Sequence, residues 1–463
     1  MGWRRGRLRP AAQGQPLSRM FYLKNFKNFA EAELDDERPV TLLIGPNGAG
    51  KSNLIEAVEL LSFLAAGHPL HEVTDLGRGG SLEVRGGLDA CASFGHDTFT
   101  LGHRSRILPL DGGYEVDYQV TVRVGNERRV VGESLRIVGR HIPIFEILPA
   151  IHRAASADNE VRYDNRARGK NKPVASVAAD RSALSQYARF ASKDTKLPHT
   201  LAAINAVLKA LEAPAVFDPV PSRMREYQQN TQSRLARDGF NISPALYQLH
   251  TFAVTPPRRG TSEKPEVVGM GWGDSVARIL KRIAQLPDEP FKSFEFFTTK
   301  TGDVLFGFNT LHSDKSITAR VLSDGTLRAL GILTALETSP RGSQLVLEEF
   351  DNGVHPSRTH ILSEALFECA ELRKLHVLAT THNPATLNAL TAEQIDGVLL
   401  VVPDPAKKFA RLLPIKELPG YIEFVEQGRL GDLITRRVYE RHLGADYEGE
   451  RKKDIEEWLE ALP

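Results

Sequence analysis

Apolar residues follow different patterns along the chain, and each pattern predicts a different kind of element. Residues 40–44 are largely apolar, which predicts a short buried strand, and residues 21–26 and 30–34 predict an edge strand and its hairpin partner ahead of it. Apolar side chains then recur at helical spacing over residues 54–64, which predicts a helix with one buried face. Residues 114–124 alternate strictly between apolar and polar, as a half-buried antiparallel strand does.

The C-terminal half alternates between strands and helices, which indicates a parallel sheet covered by helices. Strands are predicted at 294–298, 304–308, 345–347, 376–380 and 398–402, and helices at 327–336 and 357–371. Together with the strand and helix near the N-terminus, this predicts an α/β fold. A mixed central sheet would be flanked by an antiparallel β layer.

Residues 141–292 contain so many prolines that no heptad repeat survives, which excludes a long coiled-coil arm. Shorter helices are expected at 180–191, 200–211 and 275–284. Within this insert, residues 151–196 carry ten Lys and Arg against five Asp and Glu. That local excess could face nucleic-acid phosphates, and a solvated surface explains it equally well.

These patterns divide the chain into five segments. They are a basic N-terminal arm (1–19), an N-terminal lobe with the antiparallel layer (20–140), an inserted and largely helical or irregular subdomain (141–292), a C-terminal lobe (293–420) and a helical tail (421–463). The arm is either native or a leader ahead of a natural start at Met20, and the sequence leaves both open.

Composition narrows the class of protein. A chain of 463 residues suffices for two or three lobes, and 41% hydrophobic with 25% charged residues is usual for a globular protein. The net charge of +1 restricts any nucleic-acid surface to a local patch. Two cysteines, Cys91 and Cys369, argue against a disulfide framework or a zinc cluster. No apolar run approaches the roughly 18 residues of a membrane span, so we expect a cytoplasmic protein.

Residues 45–52 read GPNGAGKS and match the phosphate-binding loop pattern. They lie between the predicted buried strand and the predicted helix, which is the context that the pattern requires. Backbone N–H groups in such a loop surround phosphate oxygens, and the helix N-terminus adds its dipole. We expect Lys51 to reach the β- and γ-phosphates of ATP and Ser52 to ligate Mg²⁺. Further nucleotide contacts are assigned to Gly45, Asn47, Gly48, Ala49, Gly50 and Asn53.

Polar side chains also follow two predicted strands of the C-terminal lobe. Glu348 and Glu349 come directly after residues 344–347, and we expect Glu348 on the metal side and Glu349 as the base for water. His382 follows the strand 376–380, where it could donate a hydrogen bond to the γ-phosphate. Earlier in this lobe, LSDGT (322–326) opens a helix with a Ser and a Gly, which suits a phosphate.

Four motifs therefore stand in one order along the chain: GPNGAGKS, LSDGT, LEEFDNGVHP and TTHNP. Together they resemble the ABC-type ATPase heads of the SMC, RecF and overcoming-lysogenization-defect group. The bacterial RecF-like "AAA family" ATPases, as in anti-phage defence systems, are the most similar branch. Stretches at 23–29, 52–57, 235–241 and 430–433 also look like that branch. The resemblance runs from residue 20 to residue 435 and is more specific for the superfamily than for a biological role.

The resemblance implies a role for each matched residue. Lys51 and Ser52 would hold phosphate and Mg²⁺, Glu348 the metal-side position, Glu349 the catalytic position and His382 the position of the switch histidine. Ser323 and Gly325 would contact the γ-phosphate bound by a second subunit, so that ATP is shared in a homodimer or higher oligomer. Asp351 would lie in the loop that crosses that interface.

The sequence departs from the family pattern in three respects. Glu348 stands where Asp is commoner, and Phe350 stands where Pro is often found. No convincing glutamine loop is present, and Gln119, on a predicted strand, is only a weak candidate.

Two functions remain open. The resemblance and the basic insert favour an ATPase that acts on DNA in anti-phage defence or repair. The sequence shows no HNH cluster and no room for a Toprim nuclease after residue 400, so an effector nuclease would be a separate chain. The alternative is a nucleotide-gated sensor or scaffold that sequesters and releases a separate toxin or nuclease without acting on DNA. Stimulation of ATP turnover by DNA would discriminate between them.

Two other classes are disfavoured. In transporter subunits the signature follows the phosphate loop far sooner than here, where Lys51 and Ser323 are 272 residues apart (323 − 51). A metabolic kinase has no use for a signature loop.

Overall fold

The structure is a computed structural model. It describes residues 19–35, 38–107, 114–148, 158–165, 172–190, 198–212, 214–231, 234–254, 272–286, 291–311, 315–404 and 409–443. Most of the predicted basic arm and the last part of the predicted tail therefore lie outside the described residues. The chain folds as two compact units. Unit 1 takes the described residues within 1–24, 33–37 and 64–211, and unit 2 takes those within 25–32, 38–63 and 212–463.

The strands in chain order are β1 (Arg19–Phe26), β2 (Phe29–Asp35), β3 (Val40–Ile44), β4 (Val73–Thr74), β5 (Leu82–Glu83), β6 (Thr98–Ile107), β7 (Tyr114–Arg123), β8 (Arg129–Ile137), β9 (Phe145–Ile147), β10 (Asp158–Tyr163), β11 (Val174–Ala178), β12 (Ala215–Phe217), β13 (Gln228–Gln229), β14 (Phe291–Thr298), β15 (Asp303–Thr310), β16 (Ile317–Thr318), β17 (Gln344–Leu347), β18 (His376–Thr380), β19 (Val398–Pro403) and β20 (Ala410–Pro414).

The α-helices are α1 (Lys51–Ala65), α2 (Ala183–Phe190), α3 (Pro198–Ala210), α4 (Pro221–Met224), α5 (Ile242–Val254), α6 (Trp272–Ile283), α7 (Asp324–Thr338), α8 (Thr359–Arg373), α9 (Pro384–Asn388), α10 (Ala392–Ile395), α11 (Tyr421–Glu426), α12 (Leu430–Thr435) and α13 (Tyr439–His442). Among the described residues, none of these helices has both the length and the apolar character needed to cross a membrane.

Unit 1 is organised around an antiparallel sheet. Its strands run in the order β11-β10-β9-β8-β7-β6-β1. The alternation that predicted β7 corresponds to its inward side, where Val116, Tyr118, Val120 and Val122 are fully buried. The expectation of an edge strand over 21–26 is wrong, because β1 has a hydrogen-bonded neighbour on each side. It pairs with β6 along residues 19–24, and its other neighbour is β2, which follows the turn at Lys27 and Asn28.

Unit 2 contains a mixed sheet in the order β2-β20-β19-β3-β18-β17-β12. The strands β19, β3, β18, β17 and β12 are parallel to their neighbours in that order, whereas β20 is antiparallel to β19. Ala379 of β18 is opposite Leu347 of β17, and the next residue, Thr380, is opposite Leu43 of β3. The carboxyl ends of these three strands therefore meet at one edge, which is where an α/β sheet binds its ligand.

Helices α7 and α8 bury their apolar faces in the core of unit 2. Leu330 and Leu366 are fully buried there together with the strand residues Leu345 and Leu347. A second, smaller sheet of β13, β15, β14 and β16 contributes Phe306 and the other aromatic residues of its inner face to the same core. Strands β3, β17 and β18 are therefore anchored in one core.

The predicted insert, 141–292, is shared between the two units. Its helices at 180–191, 200–211 and 275–284 correspond to α2, α3 and α6. The strands β9 to β11 extend the sheet of unit 1, whereas β12 joins the sheet of unit 2 beside β17. A three-residue strand such as β12 has too short a pattern to be recognised locally, and pairing with β17 determines its conformation.

Candidate nucleotide site

The phosphate-binding loop runs from the end of β3 to the start of α1 within unit 2, and close contacts require its glycines. Gly45 has a φ of +141°, and a Cβ atom there would lie 2.2 Å from a backbone carbonyl oxygen of β19. Gly50 has a φ of +117°, and its Cβ would lie 2.6 Å from the side-chain nitrogen of Asn28. Larger residues would displace the loop at both positions. Between them, Asn47 and Gly48 are exposed to solvent.

An asparagine outside the motif holds the loop in place. Asn28 Nδ2 donates to the carbonyl oxygen of Ala49 at 2.8 Å, and Asn53 Nδ2 donates to Asn28 Oδ1 at 2.7 Å. The neighbouring Lys27 pairs with Glu56 on α1. The turn between β1 and β2 is therefore attached to both the loop and its helix. Sequence reasoning named Ala49 and Asn53 but missed Asn28, whose partners depend on the fold.

Lys51, the first residue of α1, lies over the loop. Its Nζ donates to the carbonyl oxygens of Gly45 at 2.8 Å and Pro46 at 3.1 Å. Burial lowers the pKa of Lys51, and the charge of Glu349 opposes that shift. The ammonium group is thus in the electrostatic field of a carboxylate from the end of β17.

The side-chain oxygens of Ser52 and Glu348 lie close together. The Ser52 hydroxyl donates to Glu348 Oε2 across 3.4 Å, although the two residues are 296 positions apart. The described residues include no group of three His, Cys, Asp or Glu side chains that could hold a metal without other ligands. A hydroxyl and one carboxylate fit Mg²⁺, which keeps several waters and takes its other ligands from substrate phosphates.

Arg237 is part of this cluster, and sequence reasoning missed it. Its guanidinium donates through Nη2 to Glu348 Oε1 at 3.0 Å and through Nη1 to Glu59 Oε1 at 2.9 Å. Burial raises the pKa of Glu59 to about 7, and the positive charge of Arg237 limits the rise. The motif that contains Arg237 was visible in the sequence, but its contact with Glu348 was not.

Glu349 sits in an unusual backbone conformation at the end of β17. Its φ is +45°, which is uncommon for a residue with a side chain. Its backbone N–H donates to Thr380 Oγ1 at 2.8 Å, and Asn352 Nδ2 donates to Glu349 Oε2 at 3.0 Å. The other carboxylate oxygen lies 3.8 Å from His382 Nδ1. The two residues expected to perform the chemistry thus face each other across the ends of β17 and β18.

Asp351 is inside the protein. It is 1% exposed, and its Oδ2 accepts hydrogen bonds from Thr381 Oγ1 at 2.6 Å and from Thr386 Oγ1. Burial raises its pKa, and the two hydroxyl donors oppose that shift. This carboxylate therefore ties the loop after β17 to the segment that carries His382. Any contact with nucleotide would have to come from the loop around it.

The signature residues lie at the start of α7. Ser323 is the N-cap, where its Oγ accepts from the backbone N–H of Thr326 at 3.1 Å. A Cβ atom on Gly325 would lie 2.2 Å from the carbonyl oxygen of Gly353. The signature loop therefore packs on the segment that follows Glu349 in the same chain, and Ser323 is in the exposed part of that surface.

The described part of the basic insert in unit 1 carries paired charges. Arg162 pairs with Glu146, and Lys172 pairs with Asp164 at 2.7 Å. Gln119, the weak candidate for the glutamine loop, also belongs to unit 1 and is exposed in the middle of β7. Arg166, Arg168 and Lys170 lie outside the described residues.

The chain is similar to RecF proteins over short stretches. The chain is 35% identical over 106 residues to the DNA replication and repair protein RecF of Acaryochloris marina, a match that covers 23% of this chain and 25% of that protein. It is 52% identical over 44 residues to the protein of the same name from Gloeobacter violaceus, which covers 10% and 12%. The chain thus spans about a quarter or less of the length of these relatives.

Solved structures of SMC heads also resemble this chain. The SMC head domain of Thermotoga maritima matches at 13% identity with a TM-score of 0.37, over 86% of this chain and 99% of that one. The Pyrococcus furiosus Smc head bound to the C-terminal domain of ScpA matches at 11% identity with a TM-score of 0.43, over 86% and 96%.

A family model matches most of the chain. The model described as "AAA domain, putative AbiEii toxin, Type IV TA system" matches residues 40–388, which is about three quarters of the chain and includes every motif from the phosphate-binding loop to the segment after His382. The chain therefore belongs to this AAA-domain family.

Proposed function

We propose that this protein binds ATP and hydrolyses it in an Mg²⁺-dependent reaction at the carboxyl edge of the unit 2 sheet. The observation that carries the proposal is the 3.4 Å separation between the Ser52 hydroxyl and Glu348 Oε2, beside the lysine of the phosphate-binding loop. An acidic loop without a role in nucleotide binding would not be expected to place a carboxylate beside the serine of the phosphate-binding loop.

Each side chain has a distinct task in the proposed reaction. Lys51 exchanges its loop carbonyl partners for the β- and γ-phosphates, and its positive charge offsets theirs. Glu349 orients and deprotonates the attacking water, because its carboxylate is already held by Asn352. His382 donates to the γ-phosphate from the other side of that carboxylate. The Ser52 hydroxyl and Glu348 would hold Mg²⁺, which when bound neutralises charge that develops on the phosphates.

Two copies of the chain complete each site. Under this proposal, Ser323 and Gly325 of one subunit contact the γ-phosphate held by the other subunit, in a head-to-tail dimer or a higher oligomer. The exposed position of Ser323 at a helix N-terminus supports this, because the first N–H groups of a helix are suited to bind phosphate.

The proposed biological setting is a DNA-related defence or repair complex with an effector nuclease in trans. The name of the RecF relatives, which refers to DNA replication and repair, supports the connection with DNA. The family description names a toxin and a toxin-antitoxin system, which supports a defence setting. The second candidate is a nucleotide-gated scaffold that holds and releases a toxin or nuclease without acting on DNA. The ion pairs of Arg162 and Lys172 favour this candidate, because they reduce the positive charge that the described insert offers to phosphates.

ATP binding and turnover test the proposal. Lys51→Ala should abolish ATP binding measured by calorimetry, because the loop loses the ammonium that faces the phosphates. Lys24→Ala, which changes an exposed lysine, should bind ATP as the wild type does. Unchanged ATP affinity in Lys51→Ala would refute the site.

Adding duplex and single-stranded DNA to the ATPase assay separates the two settings. A machine that acts on DNA should turn over ATP faster with DNA, and the stimulation should weaken as salt increases. A scaffold should show no stimulation and should respond to its protein partner.

A further inference from the structure

The loop that carries Arg237 is held rigidly from inside. Asn241 is buried, and its Nδ2 donates to the carbonyl oxygen of Arg234 at 2.8 Å. Its Oδ1 accepts from the backbone N–H of Ala236, also at 2.8 Å. Gly239, in the turn between Ala236 and Asn241, has a φ of +73°. The Asn241 side chain thus ties the backbone just before Arg237 to a residue four positions after it, so the guanidinium starts from a defined position.

A second contact attaches this loop to the sheet. The backbone N–H of Asp218 donates to the carbonyl oxygen of Arg237 at 2.8 Å. Asp218 directly follows β12, whose Phe217 is opposite Leu347 at the end of β17. Arg237 therefore lies at the end of β17, next to Glu348. The pairing of the parallel strands β12 and β17 determines this position.

The Arg237 guanidinium connects the end of β17 with α1, the two elements that carry the proposed metal ligands Glu348 and Ser52. One nitrogen binds Glu348 and the other binds Glu59 on α1. Glu59 and Ser52 are seven residues apart, which is about two helical turns, so they share one face of α1. Arg237 consequently links the carboxylate after β17 to the helix that carries the serine.

The two oxygens of Glu348 are divided between these partners. Oε1 accepts from Arg237 at 3.0 Å, whereas Oε2 faces the Ser52 hydroxyl at 3.4 Å. A carboxylate without the first contact could rotate and present either oxygen. Because a guanidinium is a planar fork, it can hold two carboxylates in fixed directions, which a single ammonium cannot do.

We propose that Arg237 is a positioning residue that orients Glu348 for Mg²⁺. It holds Oε1 so that Oε2 is turned toward Ser52 as the metal-facing oxygen. The inference rests on the proposed function, because Ser52 and Glu348 are assigned to Mg²⁺ there. Groups that orient a metal ligand typically change metal affinity by about 10–100-fold when they are removed.

Metal binding measured directly tests this role. Mn²⁺ binding in the presence of ATP can be followed by electron paramagnetic resonance, with ATP affinity in EDTA measured by calorimetry. Arg237→Gln should weaken Mn²⁺ binding by about tenfold or more. ATP affinity in EDTA should change less than twofold, because Lys51 and the loop are intact. Arg237→Lys should fall between the wild type and Arg237→Gln, because it restores the charge but not the fork.

Arg234 offers a matched control in the same loop. It pairs with Glu212 at 3.2 Å in an exposed ion pair, so Arg234→Gln removes an arginine and an ion pair without touching Glu348. This variant should bind Mn²⁺ like the wild type. An equal loss in both variants would mean that the loop is only structural, and would overturn the inference.

The remaining outcomes distinguish this inference from the proposed function. A wild-type protein that binds no ATP would refute the proposed function. A wild type that binds ATP and Mn²⁺, with Arg237→Gln binding Mn²⁺ equally well, would refute only the role of Arg237. Should Arg237→Gln fail to fold, Arg237→Lys carries the test, and unaltered Mn²⁺ affinity in that variant would count against the inference.

Discussion

The backbone N–H of Glu349 donates to the side-chain hydroxyl of Thr380 at 2.8 Å. This hydrogen bond joins the ends of two parallel strands and helps to keep Glu349 at a φ of +45°. A backbone conformation of this kind costs on the order of 1–3 kcal/mol, and such strain is found preferentially at functional sites. The strained backbone at Glu349 therefore supports the role proposed for this residue.

Glu349→Gln should retain ATP binding and lose hydrolysis. An amide cannot take a proton from water, and the loss of a general base typically lowers turnover by about 10²–10⁴-fold. The substitution keeps the side-chain length and the Thr380 contact, which belongs to the backbone, so stability should be unchanged. Turnover and ATP binding are measured on the same preparation. Glu371→Gln, an exposed change at the end of α8, is the control, and normal turnover in Glu349→Gln would move the base to Glu348 or elsewhere.

Ser323→Arg should spare ATP binding and block hydrolysis, because a bulky cation would occupy the position of the phosphate in the partner's site. Ser323 also caps α7, and losing a cap costs about 1 kcal/mol. Ser323→Ala measures that cost without the added bulk. Size-exclusion chromatography with ATP reports whether the dimer still forms.

Mixing Ser323→Arg with Lys51→Ala tests the sharing of sites. A mixed dimer would have both lesions in one site and leave the other intact. Up to about half of the wild-type rate per mixed dimer should return if the sites act independently. A Ser323→Arg protein that hydrolyses ATP normally as a monomer would rule out shared sites.

Glu59→Gln should change how stability depends on pH. Burial raises the pKa of Glu59 from 4.5 to about 7, so the folded state disfavours the ionised carboxylate. That cost is absent below about pH 4.5, grows as the pH rises toward 7, and is complete above it. The glutamine variant should gain stability relative to the wild type over this interval, by up to about 3 kcal/mol. Urea unfolding of both proteins at pH 5 and pH 8 measures the free energy of unfolding. If the variant differed from the wild type by the same amount at both pH values, the prediction would be wrong.

Gly431→Ala should loosen the packing of α12 against α9. A Cβ atom on Gly431 would lie 2.1 Å from the carbonyl oxygen of Pro384, two residues after His382. Overpacking of this kind costs about 1–3 kcal/mol, so the thermal unfolding temperature should fall by several degrees. Gly132→Ala is the control, because its Cβ would meet Thr121 only at 3.5 Å. Equal effects of the two changes would show that the Pro384 contact is unimportant.

Local sequence determined the phosphate-binding loop and its surroundings. A buried strand, a glycine loop and an amphipathic helix succeed one another within 26 residues, from Val40 to Ala65, so neighbouring positions carry the complete pattern. The same holds for Glu348 and Glu349, because an apolar strand that ends in two acids is readable without knowledge of its partners. Their proposed roles remain predictions.

Tertiary structure decided which residues support that site. Arg237 reaches Glu348 across 111 positions, and Asn28 reaches Ala49 across 21, through contacts that no local periodicity encodes. Asp351 illustrates the converse: the resemblance implied a loop that crosses a subunit interface, and only the fold shows that within one chain the Asp351 carboxylate is buried between Thr381 and Thr386. A sequence pattern shows which side chains of a segment are buried, because their spacing matches a helix or a strand. Which residues those side chains contact depends on the order of the strands in the sheet, and the local sequence does not contain that order.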